Sequence, residues 1–213
     1  MQNFSNKFLF TLLQFAILQL FCFSIYAAET GIEMRQSNDV TMNVSTMSVD
    51  NNPKIMMKLK YGNVEIELYP DKAPKHVERV LSLINKGFYN GLKFHRVIDG
   101  FMVQTGDPKG DGTGSSDEPN LVAEFNDIKH ERGIISMARS NDPNSANSQF
   151  FIMLAEANHL DGQYTAFGKV IKGMEFIDMI KKGDQNQNGK VEEPDIIEDI
   201  SVVDNTAANI NHG

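Results

Sequence analysis

Apolar and polar side chains alternate most regularly just after residue 53. Across residues 64–68, three aliphatic residues are separated by two glutamates, which is typical of a strand with one buried face. The preceding stretch, residues 55–60, is joined to it by Tyr61-Gly62-Asn63, a sequence typical of a tight turn. The pattern therefore predicts a strand, a turn and a second strand.

The apolar spacing changes after Pro74. Apolar residues then recur every three or four positions, which predicts an amphipathic helix over 75–86 that ends at Gly87. A second helix is predicted over 174–181, ending at Gly183.

The remaining sequence predicts short strands separated by segments rich in turn residues. The strands expected are 94–98, 101–104, 133–138, 149–154, 165–171 and 196–203, with a long loop over 106–120. Two helices among about eight short strands favour an all-β dominated fold over alternating βαβ units. We expect a closed eight-stranded antiparallel β-barrel capped by two α-helices.

Composition narrows the class of protein. The 213 residues are 41% hydrophobic, enough for one sizeable packed domain. The net charge of −8 argues against nucleic acid as a partner, because phosphate binding needs a basic surface. Cys22 is the single cysteine, which excludes a disulfide within the domain and a cysteine-based zinc site.

The N-terminal residues 1–28 are typical of a signal peptide: Lys7 precedes an apolar run that ends at Ala27-Ala28. The same run is nearly long enough for an uncleaved inner-membrane anchor. A lipoprotein signal at Cys22 is disfavoured because Gln19-Leu20-Phe21 lacks small residues. We expect a periplasmic or secreted protein without stable membrane insertion after cleavage. A flexible linker (29–53), a domain (54–205) and a disordered tail (206–213) complete the predicted organisation.

The chemistry is concentrated in residues 94–107. This stretch places Arg96 among aromatic and apolar residues, with the Gln104 amide nearby, and contains neither a nucleophile–base pair nor a metal-ligand cluster. A permanently charged guanidinium beside an apolar surface suits the polarisation of a neutral group. Rotation of an X–Pro bond fits, because it needs no proton transfer and no covalent intermediate.

A second segment, residues 184–195, resembles a calcium-binding loop in its spacing of oxygen-bearing side chains around Gly189. Its twelfth position is Asp195, which follows Pro194, and a strand rather than a helix is predicted next. A polar turn is therefore favoured, and we predict no metal site. A calcium-regulated surface protein is therefore a weak hypothesis, which rests on this segment alone.

Three motifs in order resemble the cyclophilin-type peptidyl-prolyl cis-trans isomerases: 94–107, Ser148-Gln149-Phe150-Phe151-Ile152, and Leu160-Asp161-Gly162 followed by Phe167-Gly168-Lys169-Val170. The resemblance covers residues 54–203, and the short loop 110–114 is similar to that of the bacterial, exported branch. It implies a packed barrel with the site in a groove on its outer face. It also implies isomerase activity on proline-containing unfolded or exported polypeptides, and no cofactor. We separately expect a monomer.

The resemblance also assigns the site residues. Arg96 and Gln104 match the catalytic positions, although an isolated arginine in a strand is more often a surface ion-pair partner. The remaining positions match substrate-binding residues: Phe101, Met102, Phe151 and Leu160 for the proline ring, Gln149 for a second amide, Ala138 and Arg139 for the strand edge, and Tyr164 and His159 for the pocket rim. His159 stands where well-known eukaryotic members carry tryptophan, which implies weaker cyclosporin binding. A non-catalytic binder of proline peptides is the rival hypothesis.

Overall fold

The computed structural model describes residues 52–203. The predicted signal peptide 1–28, all but the last two residues of the predicted linker 29–53, and the predicted tail 206–213 lie outside the described residues. Within residues 52–203, no helix is both long enough and apolar enough to cross a membrane.

The described residues form eight strands and two α-helices at the positions that the pattern predicts, with shifted ends. The helix predicted over 174–181 is shorter than expected, and the strand predicted over 196–203 begins three residues later than expected. The strands are β1 Lys54–Leu59, β2 Gly62–Leu68, β3 Arg96–Ile98, β4 Met102–Thr105, β5 Ile134–Met137, β6 Phe150–Met153, β7 Ala166–Lys172 and β8 Asp199–Val203; the helices are α1 Pro74–Asn85 and α2 Met174–Asp178; two 3₁₀ helices span Asn158–Leu160 and Gln185–Gln187.

All the strand pairs are antiparallel, in the order β3-β4-β6-β5-β7-β2-β1-β8. The all-β dominated fold is confirmed, but the prediction of a closed barrel is wrong: the sheet is a curled half-barrel. In the described chain β3 and β8 are its two edges and share no ladder. The reason is that the outer edge of the three-residue strand β3 is occupied by non-strand chain, since Val97 N–H donates to Gly189 O at 2.7 Å.

Two apolar clusters lie on opposite faces of this sheet. Adjacent residues of one strand point to opposite faces, and Phe150 belongs to the larger cluster whereas Phe151 belongs to the smaller one. The larger cluster includes the alternating residues of β2 and the apolar face of α1. The smaller cluster includes Met102, Phe151 and Leu160, so three residues of the predicted proline pocket share one face of the sheet.

Helix α1 begins without a side-chain cap of its own. Pro74 occupies its first turn, where a missing N–H costs nothing. Glu124, from the loop after β4, accepts the backbone N–H groups of Lys75 and His76 at 3.1 Å. This long-range carboxylate satisfies the free donors and complements the positive end of the helix dipole.

Candidate active site

Arg96 and Gln104 lie directly opposite each other in the β3–β4 pair. Opposite residues of an antiparallel pair place their side chains on the same face. Arg96 Nη1 accordingly donates a hydrogen bond to Gln104 Oε1 at 3.1 Å. Burial lowers the pKa of the Arg96 guanidinium, yet an arginine keeps its charge at neutral pH.

A second glutamine fixes the orientation of Gln104. Gln149 Nε2 donates to the backbone carbonyls of Gly112 and Gly114 at 3.1 and 2.8 Å. Because a carbonyl can only accept, Gln149 must turn its Oε1 towards Gln104, whose Nε2 donates to it at 2.9 Å. Gln104 Oε1 is thereby left facing Arg96. The hydrogen bonds of the two glutamine amides, which we call the amide chain, therefore all run in the same direction, from Arg96 towards the loop, and the backbone oxygens of the loop set that direction.

Asp107, which is only 1% exposed, organises the loop that supplies these carbonyls. Its carboxylate accepts the backbone N–H groups of Lys109, Asp111 and Gly112 at 2.8, 3.1 and 2.5 Å. Burial acts to raise the pKa of Asp107, but the backbone N–H groups, led by those of Lys109 and Gly112, outweigh it and lower the pKa. Asp107 was not among the predicted site residues, although it ends the first motif.

The groove in front of Arg96 has a volume of about 730 Å³. Its apolar part is formed by Phe101, Met102, Phe151 and Leu160. Phe151 meets the Tyr164 ring edge-on at a centroid distance of 5.6 Å. Phe101 stacks on His159 at 5.9 Å with 25° between the planes. The aromatic contacts hold the pocket walls in defined orientations.

The other predicted site residues lie around this groove. Arg139 is held by contacts of its own: its Nε and Nη2 donate to Gln163 O at 3.2 and 2.9 Å, and its guanidinium lies over the Tyr164 ring at 4.5 Å. Ala138 is half-buried and its N–H donates to Gln149 O at 2.9 Å. Ten of the eleven predicted residues line the groove; Gln149 lines an adjoining polar cavity of about 290 Å³.

Sequence reasoning missed the loop on the far side of Arg96. Gln187, Asn188 and Lys190 also line the groove. Asn188 accepts from Arg96 twice, through its backbone oxygen (3.0 Å from Nε) and its side-chain Oδ1 (2.9 Å from Nη2). The Asn188-Gly189 pair marks a turn in the sequence, but nothing local indicates that the turn meets a residue 92 positions away.

A hydrogen-bonded row of Asp161, His130 and Ser136 has the residue types of a hydrolytic triad. Asp161 Oδ1 lies 3.1 Å from His130 Nδ1, and Ser136 Oγ lies 2.9 Å from His130 Nε2. Ser136 and His130 are only 0% and 1% exposed, so a substrate carbonyl cannot reach the hydroxyl. The His130 ring stacks on Phe151 at 6.3 Å, so the row acts as support behind the apolar pocket.

The sequence and fold of this chain are similar to those of one known family. The sequence model of the family "Cyclophilin type peptidyl-prolyl cis-trans isomerase/CLD" matches residues 54–202. The chain belongs to this family. A Brucella suis relative, named "Probable peptidyl-prolyl cis-trans isomerase", is 52% identical to this cyclophilin-type enzyme over 154 residues, covering 67% of this chain and 79% of the relative.

Two further comparisons cover the same domain of the isomerase. "Peptidyl-prolyl cis-trans isomerase-like 3" of Gallus gallus is 47% identical over 125 residues, which are 57% of this chain and 77% of the relative. The crystal structure of a Cryptosporidium parvum cyclophilin, determined in the presence of the dipeptide Ala-Pro, superposes with a TM-score of 0.66 at 33% identity. It covers 71% of this chain and 99% of that one. The predicted cyclophilin-like fold and isomerase class are thereby confirmed.

Proposed function

We propose that this isomerase lowers the barrier to X–Pro rotation by stabilising the twisted amide with Arg96, while the proline ring sits in the apolar pocket beside it. The proposal rests on the position of the Arg96 guanidinium. Arginine has five N–H donors, and three of them are engaged by Gln104 and Asn188. One N–H on each terminal nitrogen is left for a substrate, at the edge of the apolar groove.

The reaction requires the loss of amide resonance, which is the source of a barrier of ~18–20 kcal/mol. As the bond twists, the prolyl nitrogen becomes pyramidal and regains a lone pair that can accept a hydrogen bond. An N–H of Arg96 would then bind the twisted state more tightly than the planar one, and catalysis requires this difference. Because the donors are held in place before the substrate arrives, little reorganisation is needed during rotation.

The apolar pocket binds the proline ring of the substrate. Met102, Phe151 and Leu160 are each less than a tenth exposed, yet all three line the groove. Their surfaces can accept a proline ring, which is apolar and carries no N–H. The related structure that was determined in the presence of Ala-Pro supports a proline-containing peptide as the ligand of this groove. We expect a broad preference for neighbouring side chains.

Arg96→Lys and Arg96→Ala test the catalytic role. Lysine keeps the charge but lacks the planar guanidinium with its several N–H donors, and alanine lacks both. We therefore expect both variants to lose most of the activity. The measurement is cis–trans exchange of a short Xaa-Pro peptide by two-dimensional NMR, together with the peptide's dissociation constant. An inactive parent that binds the peptide would favour the non-catalytic binder. An Arg96→Ala variant as active as the parent would refute the proposed role of Arg96.

We further propose that the enzyme acts on polypeptides outside the cytoplasm, where slow proline isomerisation, taking tens to hundreds of seconds, delays folding. The support is the predicted signal peptide 1–28. A reporter enzyme that is active only after export, fused to residues 1–28, tests this proposal. Retention of the fusion in the cytoplasm would contradict it, and a fusion that is exported but stays uncleaved would favour the membrane anchor.

A further inference from the structure

The segment Asp184–Lys190, which we call the clamp loop, forms a closed turn on the outer edge of β3. Asp184 N–H donates to Lys190 O at 3.0 Å and Gly189 N–H donates to Asp184 O at 2.8 Å. The Asp184 carboxylate accepts Asn186 N–H and Gln187 Nε2, both at 2.9 Å. Asp184, the first position of the calcium-like sequence, is therefore used to hold the turn together.

The clamp loop is fixed to the strand that carries Arg96. Gly189 O accepts Val97 N–H at 2.7 Å, and Lys190 forms an antiparallel bridge with Arg96 itself. Gly189 is buried against β3 so closely that an added Cβ would lie 2.5 Å from Ile98 Cγ1. The position of Asn188 relative to Arg96 is consequently set by the backbone on both sides.

Asn188 adopts a left-handed backbone conformation, with φ of 54°. This conformation is unfavourable for most side chains, and glycine adopts it without strain. Asparagine tolerates it better than other side chains, so the turn allows either glycine or asparagine at position 188. The asparagine side chain contributes one contact, its Oδ1 to Arg96 Nη2 at 2.9 Å.

These observations share one explanation. We infer that Asn188 is a positioning residue for the proposed reaction: its side-chain oxygen holds the Arg96 guanidinium in the orientation that presents its remaining N–H groups to the twisted amide. Gln104 holds the fork from β4, and Asn188 holds it from the opposite side. A long arginine side chain at a sheet edge loses considerable rotamer freedom when it is ordered, and this double restraint orders it before the substrate binds. The inference rests on the role of Arg96 proposed above.

The decisive variant is Asn188→Gly. Glycine keeps the left-handed turn and the backbone oxygen that accepts Arg96 Nε–H, and it removes only the Oδ1 contact. We expect the melting temperature to stay the same or to rise, while kcat/KM falls roughly tenfold, the size expected for one hydrogen bond to a charged group. The dissociation constant of an Xaa-Pro peptide should change less than about twofold, since the contact acts mainly on the twisted state.

Glu193→Gly is the matched control. Glu193 is the other non-glycine residue in the described chain with a positive φ, 52°, and its side chain is 94% exposed. The substitution relieves the same kind of strain nearby without touching Arg96, so activity should equal that of the parent. In an Arg96→Lys background, which lacks the Nη2 donor, Asn188→Gly should reduce the remaining activity less than about twofold.

The outcomes separate the possibilities. A parent without isomerase activity would defeat the proposed function before the clamp loop is tested. An active parent with an equally active Asn188→Gly variant would overturn only the inference about Asn188. A loss of activity that follows a loss of thermal stability, or that is equally large in the Arg96→Lys background, would assign Asn188 a structural role and overturn the inference as well.

Discussion

Replacing Asp107 by asparagine tests whether one buried carboxylate organises the loop behind the amide chain. One Asp107 oxygen accepts Lys109 N–H, and the other accepts the N–H groups of Asp111 and Gly112. Asparagine has a single carbonyl oxygen, so Asp107→Asn loses at least one of these bonds and turns an NH₂ group towards a backbone N–H. Leaving a buried donor unsatisfied costs about 1–3 kcal/mol.

Taking about 2 kcal/mol as the loss, the melting temperature should fall by roughly 4–8 °C for a domain of this size. Activity measured well below that temperature should also fall, because the Gly112 and Gly114 carbonyls then orient Gln149 less firmly. The matched control is Asp117→Asn, at an exposed position of the same loop, which should change the free energy of unfolding by less than about 0.5 kcal/mol. The assay is thermal and urea unfolding of both variants and the parent.

The pH dependence gives a second check. The pKa of Asp107 is lowered in the folded protein because its backbone N–H bonds outweigh the effect of burial. The stabilisation by the carboxylate is therefore complete above the unfolded-state pKa of about 3.9 and is lost as the pH falls through the folded-state value. The stability difference between parent and Asp107→Asn should be constant from neutral pH to mildly acidic pH and should shrink below about pH 4. An Asp107→Asn variant as stable as Asp117→Asn would refute the reasoning.

Three further predictions concern the amide chain, the pocket rim and the buried histidines. Gln149→Leu should reduce kcat/KM several-fold with little change in peptide affinity, measured by exchange NMR and titration; an unchanged rate would mean that Gln104 needs no orienting partner. His159→Trp should strengthen cyclosporin binding, measured by calorimetry, because an indole offers a larger surface beside Phe101; equal affinity would contradict the contribution of His159. Burial lowers the pKa values of His76, His95 and His130, so the free energy of unfolding should decrease as the pH falls below about 6.5, and a flat urea-unfolding profile between pH 7 and 5 would contradict this.

The sequence was most informative where a residue's partner is close along the chain. The alternation over residues 64–68 predicts β2, and Val64, Ile66 and Leu68 are buried as expected because the period of a strand is fixed by its geometry. Arg96 and Gln104 come together because two short strands, joined by a tight turn, bring them opposite each other. The groove residues named from the three motifs are likewise placed together, although their roles remain predictions.

The features that the sequence did not reveal depend on contacts between distant segments. The closed barrel was wrong because the edge of β3 is covered by the clamp loop, and no local pattern shows which backbone occupies a strand edge. The sequence indicates only a calcium-like loop around Asn188, since its partner is 92 residues away. Asp107 was overlooked for another reason: its partners are backbone N–H groups, which leave no trace in side-chain composition.

The covering of the β3 edge by non-strand chain also affects how the protein should lose its activity on heating. Native proteins open locally, and segments held by few hydrogen bonds open with a smaller free energy than the core. The clamp loop is joined to the strand by bonds such as Gly189 O to Val97 N–H, whereas the central strands are paired on both sides. Amide hydrogen exchange at Val97 should therefore be faster than at Ile152 in β6. Arg96 would then be released by local opening at temperatures where the sheet is still folded, and the catalytic rate would decline before the melting transition begins.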